Sequence, residues 1–118
     1  MSDLIDRYLA AWNEADPARR RTLLAETFAP GCRFVDPLVD VRGLDAIDAT
    51  IASVQSQFPG VPLFPVGEAD AHHDVVRFRW GLGRAGEEPI VIGFDVLTLD
   101  GQGRVTSVIG FLDRVPAT

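Results

Sequence analysis

Three segments in the first half of the chain carry apolar residues at the three- and four-residue spacing of amphipathic helices. The second of these helices is predicted from Asp16-Pro17 through Phe28, because an aspartate followed by a first-turn proline is a common helix start. The third begins at Leu44 and ends before Pro59-Gly60, a dipeptide that typically stops a helix. The first predicted helix places its apolar residues on one face, and these residues are Ile5, Tyr8, Leu9 and Trp12.

A turn and one short strand are predicted between the second and third helices. Pro30-Gly31 is a dipeptide typical of turns. The residues from Cys32 to Asp36 alternate in part, so that Phe34 and Asp36 share one face of a short strand. This strand is predicted to end at Asp36-Pro37, because a residue that precedes proline is held in an extended conformation.

The second half of the chain is predicted to form an antiparallel meander. Gly67 separates the first two strands, and the polar, glycine-containing stretches 84–87 and 100–103 are typical of hairpin turns. Helices followed by a run of strands predict an α+β fold, in which three N-terminal helices cover one face of a curled sheet. The predicted strands are rich in Val, Ile, Phe and Thr and lie near residues 61–66, 71–82, 89–99 and 104–115.

The strand near residues 89–99 is apolar on both of its faces. The helices of this chain suffice to cover only one face of the sheet, and a second copy of the protein would cover the other. We therefore expect a homodimer that forms through the outer face of the sheet. The two faces carry Ile90, Ile92, Phe94 and Val96 on one side and Val91, Asp95, Leu97 and Leu99 on the other.

Length and charge restrict the possible classes of function. The chain has 118 residues, of which 47% are apolar, and this predicts one globular domain over residues 1–118. The net charge is −6, so we expect no binding to nucleic acid or to an anionic membrane, because both require a basic excess. The run Arg19–Arg21 is interpreted as a solvated helix face. A lone cysteine, Cys32, and a start without a basic and apolar leader indicate a cytoplasmic protein.

Two motifs resemble ligand sites but lack the context that such sites need. Residues 81–86 match G-x-G-x-x-G, yet two glutamates and a strand follow, where dinucleotide binding needs a helix. His72-His73-Asp74 is predicted to lie on a strand, where only His72 and Asp74 point to the same side. Two ligands are fewer than a metal site requires. We therefore expect no metal and no cofactor, and leave open a role for one histidine in proton transfer.

Three polar residues occupy positions where a core would favour apolar ones. Tyr8 lies on the apolar face of the first helix, Asp36 shares a face with a phenylalanine, and Asp95 lies among apolar residues. Each has a structural interpretation: Tyr8 could extend its hydroxyl to the surface, and Asp36 could cap a turn. Asp95 could pair with an arginine of the neighbouring strand, Arg77 or Arg79. A buried carboxylate is costly unless it is paired or protonated, so the three together predict one polar-lined cavity between helices and sheet.

Four pieces of the sequence carry a resemblance to a known family. They are Arg7-Tyr8, residues 34–37 (Phe-Val-Asp-Pro), Gly43 before the third helix, and residues 93–100 with 103–105 at the last hairpin. On these residues the chain resembles the nuclear-transport-factor-2-like superfamily, which includes the ketosteroid isomerases and the SnoaL-like polyketide cyclases. The resemblance covers nearly the whole chain. It implies a cone, in which a strongly bent, mostly antiparallel sheet wraps over three helices and encloses an apolar pocket.

The resemblance to the isomerases implies a role for each of the three polar residues. Asp36 matches the base that shuttles the proton, and Tyr8 and Asp95 match the tyrosine and protonated aspartic acid that stabilise the enolate oxygen. Apolar neighbours are expected to raise the pKa of Asp95, so that it is protonated near neutral pH, while Asp36 stays ionised. One departure is Phe28, which stands where some isomerases place a supporting tyrosine and has no hydroxyl to donate.

The resemblance as a whole implies a protein with a pocket for a small apolar molecule. We expect a cofactor-independent isomerase or cyclase that transfers a proton on an apolar carbonyl compound. The alternative is a non-catalytic ligand-binding or dimerisation module of the same fold. In the cyclases an aspartate and a histidine on the sheet do the acid–base work, and Asp95 with His72 or His73 is the nearest match. Besides the three polar residues, the predicted pocket lining is Trp12, Phe28, Phe34, Phe58, His72, Val76, Phe78 and Trp80.

Overall fold

The computed structural model describes residues 2–116 as three helices and six strands. None of the helices in this range is long and apolar enough to cross a membrane. The helices are α1 (Ser2–Asn13), α2 (Pro17–Thr27) and α3 (Leu44–Gln57), and the strands are β1 (Phe28–Val35), β2 (Asp40–Arg42), β3 (Leu63–His72), β4 (Val75–Leu82), β5 (Val91–Leu99) and β6 (Val105–Arg114).

All six strands belong to one curved sheet with the order β2-β1-β6-β5-β4-β3. The pairing of β1 with β6 is parallel and every other pairing is antiparallel. The connections that follow β4 and β5 contain the predicted hairpin segments 84–87 and 100–103. The helices pack on one face of the sheet, here called the inner face, and the opposite face is called the outer face. The predicted α+β fold is confirmed.

Local signals in the sequence account for the starts of α2 and α3. Asp16 caps α2, because its Oδ2 accepts a hydrogen bond from the Arg19 amide at 2.9 Å, and Pro17 occupies the first turn. Gly43 precedes α3 with a φ of 92°, a left-handed conformation that favours glycine. The chain therefore turns sharply between β2 and α3 without strain.

The segment that joins α2 to the sheet differs from the prediction. The helix ends at Thr27, and Phe28 is already extended. The predicted turn at Pro30-Gly31 is wrong, because both residues lie inside β1. The register of β1 with β6 shifts between Phe28 and Arg33. Proline has no amide hydrogen for the ladder, so the strand accommodates it as an irregularity instead of reversing direction.

The first hairpin turn also lies elsewhere than predicted. Gly67 does not end a strand: its φ is 72°, and it lies in a register shift of β3 between Val66 and Asp70. Glycine adopts this conformation at little cost, so β3 passes through it. The chain reverses at His73-Asp74, where His73 has a φ of 52°. The two neighbouring histidines therefore stand at the exposed tip of the β3–β4 hairpin.

Arg20 is buried, contrary to the expectation of a solvated arginine face. The residue is 4% exposed, and its Nε donates to Asp48 Oδ1 at 2.6 Å. Its Nη1 donates to the Glu14 carbonyl at 3.0 Å and to Gln55 Oε1 at 3.1 Å. A buried guanidinium needs such partners, which the pattern of α2 alone does not reveal. The interaction fixes α2 against α3 and against the end of α1.

We expect Arg20→Met to lower the free energy of unfolding by about 3 kcal/mol, because Asp48 would lose its closest partner in a largely buried position. Urea unfolding followed by circular dichroism measures this change. Arg19→Met, on the exposed side of the same helix, is the matched control and should change stability by no more than about 0.5 kcal/mol. Equal effects of the two substitutions would contradict a structural role specific to Arg20.

Candidate active site

A buried hydrogen bond joins Tyr8 of α1 to Asp95 of β5. The Tyr8 hydroxyl donates to Asp95 Oδ2 at 2.8 Å, and the two residues are 1% and 4% exposed. Tyr8 lies on the apolar stripe that α1 turns toward the sheet, and Asp95 lies on the inner face between apolar neighbours of β5. The contact spans 87 residues of sequence and holds α1 against the centre of the sheet.

Gly110 of β6 makes room for two carboxyl-bearing side chains. It pairs with Asp95 across the β5–β6 ladder. A Cβ atom built on Gly110 would lie 2.8 Å from Asp95 Oδ1 and 3.3 Å from the Cβ of Asp36. Asp36 and Asp95 therefore approach each other over a backbone position that has no side chain. The structure thus brings together Tyr8, Asp36 and Asp95, the three polar residues singled out in the sequence.

Asp36 has two structural features that bear on its chemistry. Its Oδ1 accepts hydrogen bonds from the amides of Leu38 (2.8 Å) and Val39 (3.0 Å), so it caps the turn after β1. Its Oδ2 makes no hydrogen bond with residues 2–116, the part of the chain that the structure describes. Asp36 is half-buried at the edge of the inner face. One oxygen is thus held in place while the other is available.

The burial of Asp95 changes its acidity. Desolvation raises the pKa of Asp95 to about 6, the nearby Asp36 adds to this increase, and the polar hydrogens of Tyr8 and Trp80 act in the opposite direction. The increase in the pKa of Asp95 agrees with the expectation, but a pKa of about 6 leaves Asp95 mainly ionised at neutral pH. The expected protonation near neutral pH is thus corrected to protonation below about pH 6, because the two donors stabilise the charge.

Tyr8 is a neutral donor at all physiological pH values. Burial raises the pKa of its phenol well above the ordinary value, and the neighbouring Asp95 charge raises it further. The alternative of an Asp95 ion pair with an arginine is excluded by geometry. Arg77 pairs with Asp70 at 3.5 Å and Arg79 with Asp113 at 3.3 Å, all with exposed side chains.

Aromatic rings surround the Tyr8 side chain. Its ring centroid lies 5.3 Å from Phe78, 5.7 Å from Phe28 and 6.5 Å from Trp12, and Trp12 in turn lies 5.7 Å from Phe34. These rings keep water away from the Tyr8–Asp95 hydrogen bond, which strengthens it. Phe28 stands beside Tyr8, as the resemblance implied, and offers it a ring but no hydroxyl.

Two clefts open beside this ring cluster. The first has a volume of about 480 Å³ and lies between the ends of α1 and α3, where Trp12 and Phe58 line it. The second has a volume of about 350 Å³ and lies between α1 and the irregular part of β3, where Phe78 lines it. Neither cleft is lined by Tyr8, Asp36 or Asp95. A pocket shared by all three polar residues stays a prediction.

The other predicted lining residues fall in three places. Val76 is buried in the core and Trp80 is half-buried, with its ring over Gly93, where a Cβ atom would collide with it. His72 is exposed and its Nδ1 lies 3.1 Å from Nδ1 of His73. Both histidines stand at the hairpin tip, so the structure does not bring them to Asp95 in the way that a cyclase-like pair would require.

The remaining candidate motifs do not form a site. Burial raises the pKa of the Cys32 thiol to about 12, so it stays protonated and unreactive. Residues 81–86 lead into β5 instead of a helix, which excludes a dinucleotide-binding turn. Within residues 2–116, no group of three or more His, Cys, Asp and Glu side chains is placed to hold a metal ion.

The comparison with protein families identifies the family of this chain. The family model described as a SnoaL-like domain matches residues 5–108. The chain belongs to the SnoaL-like family. None of the curated proteins compared with it matches. A SnoaL-like protein of Agrobacterium tumefaciens, described as a candidate isomerase, is 39% identical, with a TM-score of 0.87 over 94% of this chain and 95% of that one.

More distant structures support the fold alone. A protein of Sinorhizobium meliloti described as a candidate polyketide cyclase is 22% identical, with a TM-score of 0.70 over 92% of this chain and 93% of that one. An NTF2-like protein of unknown function from Exiguobacterium is 20% identical, with a TM-score of 0.73 over 93% and 98% of the two chains. The SnoaL-like fold is thus shared by proteins with different descriptions.

Gly110 is the site feature that the sequence did not reveal in this SnoaL-like chain. A glycine within an apolar strand was its only signal, and such a glycine often marks a close approach of other groups. Which groups approach it depends on the pairing of β6 with β5 and β1, which joins distant parts of the chain. Trp80 over Gly93 is a second example of the same kind.

We expect Asp95 to make the protein less stable as the pH rises. The folded state binds the Asp95 proton more tightly than the unfolded state, whose pKa is 3.8, so the free energy of unfolding decreases as the pH rises from about 4 to above 6. From about pH 4 to about pH 7.5, the stability of the wild type relative to Asp95→Asn should fall by roughly 2 to 3 kcal/mol.

Chemical denaturation of both proteins across this pH range measures the effect. Asp113→Asn, which removes an exposed carboxylate, is the control and should show a much smaller change. A stability difference between wild type and Asp95→Asn that stays constant or rises with pH would show that burial does not raise the pKa of Asp95.

Proposed function

We propose that this SnoaL-like protein is a cofactor-independent isomerase or cyclase that transfers a proton on a small apolar carbonyl compound. The observation that carries the proposal is the buried Asp95 carboxyl, which Tyr8 contacts at 2.8 Å and whose pKa is about 6, with Asp36 nearby. Two carboxyl groups in different environments can take separate roles, one as the acid and the other as the base. The 39% identical relative described as a candidate isomerase supports the same class of reaction.

In this proposal Asp36 is the base. Its Oδ2 removes a proton from the carbon next to the carbonyl, and the electron pair of the broken C–H bond forms a C=C bond. The carbonyl oxygen becomes an enolate oxygen, and Asp36 then returns the proton to another carbon. The turn that holds Oδ1 fixes the direction of the free oxygen. A positioned base of this kind contributes roughly 10²- to 10⁴-fold to a rate.

Tyr8 and the protonated form of Asp95 donate hydrogen bonds to the enolate oxygen. The aromatic rings around Tyr8 keep the dielectric low, so each donor stabilises the developing charge more than it would in water. The Tyr8 hydroxyl donates to Asp95 in the free protein, so binding of a carbonyl compound exchanges one acceptor for another.

The alternative is a non-catalytic ligand-binding or dimerisation module. Two observations favour it: Asp36 also has a structural role in its turn, and the rings of Phe28 and Phe78 pack directly on Tyr8. A shared fold does not decide between the two functions, because function depends on the site. Turnover that requires Asp36 discriminates between them.

We expect Asp36→Asn to lower kcat for a β,γ-unsaturated cyclic ketone by roughly 10²- to 10⁴-fold, because an amide does not accept the proton. Asparagine still accepts the two turn hydrogen bonds, so the fold should be retained. The Asp95→Asn variant keeps a hydrogen-bond donor, so its kcat should fall by less than roughly 10²-fold, which is the effect of removing one oxyanion donor. Absorbance of the conjugated product measures turnover, and Asp113→Asn is the control.

The pH profile provides a second readout of the same proposal. Since Asp95 must be protonated to donate, kcat/KM of the wild type should fall as the pH rises through about 6. Asp95→Asn should lose this descending limb. If Asp36→Asn turns over the ketone at the wild-type rate, or if no carbonyl compound exchanges its α-proton for deuterium on the wild type, the catalytic proposal fails.

We also propose that the protein is a homodimer formed through the outer face of the sheet. The outer apolar patch consists of Phe94 and Val96 of β5 and their cross-strand neighbours Phe111 and Ile109 of β6. Phe111 is 55% exposed and Ile109 is 43% exposed. The Arg79–Asp113 ion pair lies next to the patch. An apolar centre with a charged rim has the composition of an interface between protein chains.

We expect the wild type to sediment as a dimer at about 50 µM, a concentration at which a specific dimer is populated. Phe111→Asp should give a monomer, because it places a charge in the centre of the patch. Leu38→Asp is the matched control, since Leu38 is also exposed and lies on the turn after β1. A monomeric wild type, or a dimer that Phe111→Asp leaves intact, would contradict the proposal.

A further inference from the structure

We propose that the indole N–H of Trp12 is a third hydrogen-bond donor to the ligand oxygen that Tyr8 binds, and that the apolar body of this ligand lies in the first cleft. The inference rests on the proposed function, because it assigns a further donor and a ligand orientation to the same site. It makes Trp12 a substrate-binding residue.

The indole nitrogen of Trp12 lacks a partner in the free protein. Trp12 is 7% exposed, and its Nε1 is buried without a hydrogen-bond acceptor. Among the residues that the structure describes, Thr27 Oγ1 is the other buried side-chain N or O atom in this condition. A buried donor without a partner costs about 1 to 3 kcal/mol. A hydroxyl rotates toward any acceptor nearby, whereas an indole N–H points only where its ring directs it.

Packing places the Trp12 ring beside Tyr8. Trp12 follows Tyr8 by one helical turn, so both side chains lie on the same face of α1. Its ring is held between Tyr8 and Phe34, with centroids 6.5 and 5.7 Å away. An acceptor bound by Tyr8 is therefore within reach of Trp12.

The same side chain lines the first cleft, of about 480 Å³. Polar side chains in its wall already have partners: Asn13 exchanges two hydrogen bonds with the backbone of Leu63, and Gln55 donates to the carbonyls of Trp12 and Glu14. The rest of the wall is largely apolar and includes Val54, Phe58, Val61, Leu63 and Leu82. This wall fits a largely hydrocarbon body, and its other polar side chains are the hydrogen-bonded Arg20 and the exposed Ser56.

These observations together specify a class of ligand. The cleft accommodates an apolar body, and Trp12 both lines the cleft and packs against Tyr8, so the ligand is an apolar molecule with a single oxygen acceptor at the Trp12 end. A ketone, its enolate and a phenolate share this chemistry. A ligand with polar groups along its body would lose their hydration without recovering hydrogen bonds, which disfavours its binding.

Two probes test the donor role of Trp12. Naphthol carries one oxygen on an apolar body, and naphthalene has the same body without the oxygen. Substitution of Trp12 by its benzothiophene analogue, through a suppressed stop codon, removes the N–H and keeps the shape of the ring. We expect naphthol to bind about five- to tenfold more weakly to this variant than to the wild type, with naphthalene binding unchanged.

Nuclear magnetic resonance provides a readout that does not depend on affinity. The chain has two tryptophans, so Trp80→Phe assigns both indole N–H signals. Naphthol should move the Trp12 signal downfield and slow its exchange with solvent, as expected when an N–H gains an acceptor. Tyr8→Phe should also weaken naphthol binding, and thermal unfolding confirms that each variant is folded.

The results that would contradict the role of Trp12 differ from those that would contradict the proposed function. If Tyr8→Phe weakens naphthol binding while the Trp12 signal does not move, the inference is overturned and the proposed function stands. Equal losses for naphthol and naphthalene in the benzothiophene variant would mean that Trp12 acts by packing, which also overturns the inference. If naphthol does not bind and no ketone is turned over, both the inference and the proposed function are overturned.

Discussion

The hydrogen bond between Tyr8 and Asp95 is the interaction on which the interior of the protein depends. It places a carboxyl group among the aromatic and aliphatic side chains of the core. Such a group is tolerated only with a donor nearby, and Tyr8 supplies one from α1. Tyr8 of α1, the ring cluster around it and Gly110 all lie beside this one carboxyl and accommodate it.

The parts of the fold that were predictable from the sequence are those that depend on local patterns. The helical spacing of apolar residues and the Asp16-Pro17 start predicted α1, α2 and α3 closely, because these signals act within one or two turns. Tyr8 and Asp95 were recognisable as polar residues on apolar faces. Their contact agrees with the predicted convergence, since both lie on faces that only the core can cover.

The features that were missed depend on contacts between distant segments. Pro30-Gly31 reads as a turn locally, yet the parallel pairing of β1 with β6 keeps it in a strand. Arg20 reads as solvated, but the packing of α2 against α3 and the end of α1 buries it beside Asp48. The role of Gly110 arises only when β6 lies between β5 and β1. The number of residues between two segments says little about whether they pair, because the entropy cost of closing a loop rises only slowly with the length of the loop.

The acidity of Asp95 connects the structural and the chemical roles of the core. Its pKa of about 6 results from a balance between burial, which favours the neutral acid, and the hydrogens of Tyr8 and Trp80, which favour the carboxylate. In the proposed function, a ligand oxygen that takes the Tyr8 hydrogen bond would remove one stabiliser of the carboxylate, and an apolar ligand would remove water as well. Both changes would raise the pKa of Asp95, so that ligand and proton would bind together. The group that is costly to bury in the free protein would thereby become a hydrogen-bond donor to the ligand.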